Sequence, residues 1–86
     1  VYHEQANYKQ AMIYFKDYLQ NALNVKDLTE IASAYNNIGS TFTALNKIDS
    51  AIYYLQLARQ KNIEINNLPA NAPVLINLGE LFVKKR

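Results

Sequence analysis

The side chains in this chain that could carry chemistry are few and dispersed. The single histidine, His3, stands near the beginning, far in sequence from every serine. Nucleophilic catalysis needs a nucleophile, a base and a group that orients the base, so His3 reads as a solvated side chain. The seven acidic residues are scattered singly, whereas a metal site needs a cluster of histidine, cysteine or carboxylate ligands. Asp27 and Glu30 come closest to a pair, but their spacing before an apolar run is that of a helix cap. There is no cysteine, which excludes disulfides and thiolate metal sites. The two glycines, Gly39 and Gly79, both fall inside helical patterns, so no phosphate-cradling loop is present. Seven tyrosines could stack on bases, yet Tyr8, Tyr18 and Tyr35 fall on apolar stripes, where they pack with their phenol groups toward the edge. No catalytic residue, metal ligand or cofactor is assigned, and the chain is not expected to be an enzyme.

One set of polar residues does share a face. At ~3.6 residues per turn, Ser33, Asn37, Ser40 and Ala44 lie on the side of a helix opposite Tyr35, with Asn36 at the border. Asn77, Glu80 and Lys84 continue the strip on a later helix. Side-chain amides offer both a donor and an acceptor, so asparagines here can bond either to water or to a ligand's backbone.

The elements that must position this strip follow from hydrophobic periodicity. Ala32, Tyr35, Ile38, Gly39, Phe42 and Leu45 recur on one face, and Ile48, Ala51, Ile52, Leu55 and Ala58 on the next. Two amphipathic helices joined by a few residues must lie antiparallel. Gly39 and Ala51 are the small residues on the facing stripes, and close helix approach is expected there, because a mid-helix glycine otherwise costs about 1 kcal/mol. Before this pair, Tyr8, Ala11, Met12, Phe15, Tyr18, Leu19 and Ala22 stripe a first helix. After it, Asn66, Asn67, Pro69 and Pro73 mark a turn. An interior proline costs ~3 kcal/mol, so the last helix is expected to start near Asn71, with Pro73 in its first turn and with Leu75, Leu78, Gly79 and Phe82 on one side. The expected helices span 4–23, 29–44, 49–64 and 72–85, capped by Asp27 at the second and by Asp49 or Ser50 at the third.

Residues forty apart correspond along the chain. Ala11 matches Ala51, Tyr14 matches Tyr54, Phe15 pairs with Leu55, Leu28 matches Leu68, and Ala32 matches Ala72. Ile38 pairs with Leu78, Gly39 matches Gly79 and Phe42 matches Phe82, all at one constant offset. The chain therefore divides into residues 1–24, the second half of one repeat; 28–65, a complete repeat; and 67–86, the first half of another. It begins at Val1 and is expected to be a part of something larger. The last helix would expose Leu75, Leu78 and Phe82, which makes self-association through that face an expectation.

Eighty-six residues, half of them hydrophobic and 19% charged, suit one small folded domain. A net charge of +2 gives no reason to expect a nucleic-acid partner. The basic run Lys84, Lys85 and Arg86 stands at the chain end and is expected to be solvated. No stretch approaches the ~18 apolar residues of a membrane helix, so no direct membrane contact is expected of this segment.

Tyr35, Ile38, Gly39, Phe42, Ala51, Leu55 and Ala58 occupy the signature positions of the tetratricopeptide repeat (TPR), which this segment resembles. Asn46 stands where that turn often has glycine, and Ile63 where proline often follows. The resemblance implies an all-α fold of antiparallel helical hairpins, here a right-handed superhelix fragment of four helices. It also implies that the strip Ser33, Asn36, Asn37, Ser40, Asn77, Glu80 and Lys84 lines a concave groove for a protein or an extended peptide. Asn37 and Asn77, each two residues before a glycine, resemble the asparagine ladder of peptide-binding TPR arrays. Pro73 and Asn77 stand where the carboxylate clamp of chaperone-binding TPRs has basic residues, so that clamp is not implied. Long repeats with an A-x-N-N-I-G core, here Ala34 to Gly39, are similar to those of bacterial sensor kinases and transcriptional regulators, which implies a regulatory role. A structural spacer or oligomerisation segment without a groove ligand is the alternative.

Overall fold

The computed structural model describes the backbone of residues 2–85 and the side chains of residues 7–85. His3 and Arg86, read above as solvated, lie outside the described side chains. Four α-helices follow one another: α1 (Tyr2–Val25), α2 (Leu28–Ala44), α3 (Ile48–Glu64) and α4 (Asn71–Lys85), the last preceded by a 3₁₀ turn at Leu68–Ala70. These spans agree with the expected helices to within two residues at every end. Pro73 is the third residue of α4, where its missing N–H has no intrahelical partner to lose.

The three helix ends within the chain are built alike. Lys26, Asn46 and Asn66, twenty residues apart, adopt left-handed backbone with φ of 58°, 60° and 57°. The next residue's N–H then turns back to a carbonyl five positions earlier: Asp27 to Ala22 at 3.1 Å, Lys47 to Phe42 at 2.9 Å, Asn67 to Asn62 at 2.8 Å. This is the Schellman arrangement, which satisfies carbonyls that a helix end leaves unpaired. It reverses the chain within two or three residues and brings each helix back along its predecessor. Asn46 fills the usual glycine position because asparagine tolerates left-handed backbone better than other side chains do.

Helix starts are less uniform. The Asp27 carboxylate accepts from the Glu30 N–H at 3.2 Å and caps α2 as expected. The expected caps Asp49 and Ser50 lie inside α3 instead. That helix opens at Ile48, directly after the turn, with Lys47 at the cap position and no side-chain cap bond.

Each helix packs against the next, α3 most extensively on α2, and α4 also touches α2. Pairings of early with late residues show the antiparallel course. The ring of Phe42 stacks on Tyr54 at 5.6 Å, Tyr35 lies 6.2 Å from the same ring, and Lys85 at the end of α4 pairs with Asp49 at the start of α3. The core holds Ile38, Ala51, Leu55, Ala58, Val74, Leu78 and Leu81, all nearly inaccessible.

One expectation about packing is sharpened and another corrected. The side chain closest to the Gly39 backbone is that of Leu55, one helical turn beyond Ala51: a Cβ added at Gly39 would stand 2.7 Å from the Leu55 Cγ. The correction concerns Leu78, expected to be exposed on α4. It is buried in the core that includes Leu55 and Ala58 of α3, whereas Leu75 and Phe82 are exposed.

Candidate binding groove

The outward strip on α2 is positioned by the burial of the helix's other faces. Ile31, Ala32, Ala34, Ile38, Gly39 and Thr41 are the buried residues of α2, since this helix lies between two neighbours, α1 and α3. Thr41 can be buried because its hydroxyl donates to the Asn37 carbonyl at 2.8 Å. What remains for solvent is narrow. Ser33 and Ser40 are exposed, and Asn36 and Asn37 are half-buried. On α4, Asn77 is half-buried and Glu80 and Lys84 are exposed.

Contact between α2 and α4 brings part of this strip together. A cleft of about 300 Å³ is lined by Ser40, Thr43 and Ala44 from α2 and by Asn77 from α4. The Thr43 hydroxyl donates to the Gly39 carbonyl at 3.0 Å, so its hydrogen is engaged while its oxygen can still accept. Ser40 and the Asn77 amide add donors and acceptors from both sides, and the Ala44 methyl supplies a small apolar wall. Chemically this can hold a narrow polar chain by hydrogen bonds. Among the described residues no three of His, Cys, Asp and Glu come together. No helix there is long and apolar enough to cross a membrane.

Ser33 and Asn36 belong elsewhere. With Ala32, Asn62, Ala70 and Val74 they line a separate space of about 70 Å³ beside the α3–α4 junction. The Oδ1 of Asn36 is buried there without a hydrogen-bond partner. Alongside it the Asn62 amide donates to the Asn71 Oδ1 at 2.9 Å. Asn37, Glu80 and Lys84 line neither space.

Three participants escape a reading of the strip alone. Thr43 lies to one flank of the face opposite Tyr35, yet it stands three residues from Ser40, and that spacing makes the two neighbours on a helix. Asn71 is read above only as the start of the last helix and Asn62 is not singled out; the packing of α4 on α3 brings the two amides together in the interior.

A second, larger depression of about 440 Å³ lies on another side of α4, lined by Gln56, Arg59, Leu75, Leu78, Gly79 and Phe82. Compared with known proteins, the chain matches no family model, no curated protein and no solved structure at a significant level.

Proposed function

We propose that this chain is a peptide-binding module of the tetratricopeptide kind, which takes an extended segment of a partner protein along the α2–α4 face. The observation that carries the reading is the cleft in which Ser40 and Thr43 of α2 meet Asn77 of α4. An extended peptide presents N–H and C=O groups at regular intervals. Short hydroxyl and amide side chains on adjacent helices suit such a ligand, because they can both donate and accept. The forty-residue correspondence between Asn37 and Asn77 supports the same reading, since a repeated amide matches a repeated backbone. The resemblance of the Ala34–Gly39 core to that of bacterial regulators supports a role as a module of a larger sensory or regulatory protein.

The test begins with selection of binders from a displayed library of unstructured peptides, followed by titration of a selected peptide. Asn77→Ala should weaken binding several-fold, corresponding to one lost hydrogen bond of about 0.5–1.5 kcal/mol. Asn37→Ala should act in the same direction, and neither should lower the melting temperature appreciably. Binding that is unchanged in both variants, or a library that yields no binder, would remove the groove and leave the structural-spacer reading.

A further inference from the structure

We infer that the peptide taken by the α2–α4 face is uncharged there and sets a serine or threonine side chain into the small space beside Asn36. The inference rests on the proposed groove and names the class of its ligand. Ser33 and Ser40 stand two turns apart on α2, so the small space and the cleft follow one seam, about 10 Å from each other. Both are formed by α2 and α4, and the buried Asn62 of α3 joins the smaller one. An extended chain advances about 3.3 Å per residue. Backbone bonded at Ser40 and Asn77 therefore brings a residue about three positions away to the small space.

Charge is the first selector. Neither the cleft nor the small space is lined by an acidic or basic residue, and Glu80 and Lys84, the charged members of the outward strip, border neither. A charged side chain here would lose water and meet no countercharge, which is costly for either sign. Size is the second. A water molecule takes about 30 Å³ in the liquid, so a space of about 70 Å³ admits a group of about two or three heavy atoms. Hydrogen bonding then decides between a methyl and a hydroxyl. The Asn36 Oδ1 is buried without a partner, and an acceptor so placed costs free energy until a donor reaches it. Asn36 is half-buried and its terminal torsion is soft, so a small turn of the amide presents that oxygen to a group in the space. The Asn62 amide is already committed to Asn71 at 2.9 Å, while Ser33 is exposed alongside. A methyl would leave the Asn36 oxygen unpaired. A hydroxyl donates to it and can still accept from Ser33. Solvent can serve the same oxygen before binding, and only a group that reproduces the bond displaces it without loss.

The probe is a peptide selected on the 86-residue chain from a displayed library of unstructured random peptides, titrated by calorimetry. The selected binders are expected to share serine or threonine at one fixed position. Alanine at that position should weaken binding about tenfold, and aspartate and lysine should each weaken it further. Against Asn36→Leu, which keeps the size of the side chain, the serine and alanine peptides should bind equally. Asn77→Ala should instead weaken both peptides by one factor. Affinity should change little between about 0.1 M and 1 M salt, where the screening length falls from about 10 Å to about 3 Å. The peptide-side comparisons need only the parent protein, so they decide the matter even where Asn36→Leu does not fold. Binders that share no hydroxyl position would overturn the inference and leave the groove standing. So would a serine-to-alanine loss that persists in Asn36→Leu, a charged residue tolerated at that position, or affinity that falls steeply with salt. A library without binders removes the groove itself, and this inference with it.

Discussion

Asn62 and Asn71 are buried amides that tie α4 to α3: the Asn62 amide donates to the Asn71 Oδ1 at 2.9 Å, and the Asn71 amide donates to the Arg59 carbonyl at 3.5 Å. Their counterparts forty residues earlier, Ala22 and Ile31, are apolar and buried too. A buried amide that loses its partner costs about 1–3 kcal/mol, whereas replacing both partners by fitting apolar groups can be nearly neutral. Asn62→Ala alone and Asn71→Ile alone should each destabilise by about that amount. The double variant should recover most of the loss, seen in urea unfolding as a coupling energy of favourable sign. Costs that simply add would show that the amide pair contributes nothing specific to the junction.

At the scale of the element, the three left-handed residues at 26, 46 and 66 define the helical units. An asparagine adopts this backbone at modest cost, but a lysine bears the full steric conflict between Cβ and the following carbonyl, about 1–2 kcal/mol. Glycine removes the conflict and returns part of the gain through a more flexible unfolded chain. Lys26→Gly is therefore expected to stabilise by about 0.5–1 kcal/mol, and Asn46→Gly and Asn66→Gly by less. Thermal unfolding of the three variants checks the order. A Lys26→Gly melting temperature at or below the parent's would contradict it. The turns also set the cap positions: Asp27 and Lys47 each end one directly before a helix, and α3 lacks the side-chain cap that α2 has because a lysine offers no acceptor.

For the molecule as a whole, neighbours are distributed unequally. Helix α2 packs on all three of the others and α3 on two, while α1 packs on α2 alone. Local opening is easiest where the fewest apolar contacts must be broken. Hydrogen exchange should accordingly find α2 and α3 protected more strongly than α1, by roughly tenfold at dilute concentration. Uniform protection along all four helices at low concentration would mean that the chain opens only as one unit.

Sequence alone determines the local features of this protein. Apolar spacing sets the four helices, Pro73 and Asn71 set where the last one begins, and the correspondence between Gly39 and Gly79 reveals the forty-residue repetition. Each of these depends on residues close together in the chain, where backbone geometry dictates the outcome. Tertiary structure decides what depends on the number and offset of neighbours. An amphipathic stripe implies one buried face, but α2 lies between two helices and buries Ala34 and Thr41 as well as Ile38. The stripe cannot report that Leu55 is the side chain closest to Gly39. Nor can it separate Leu78, covered by α3, from Leu75 and Phe82 on the same helix. The polar strip divides for the same reason: packing of α4 places Ser40 beside Asn77 and draws Ser33 and Asn36 toward the α3–α4 junction, a choice that azimuth on a single helix leaves undetermined.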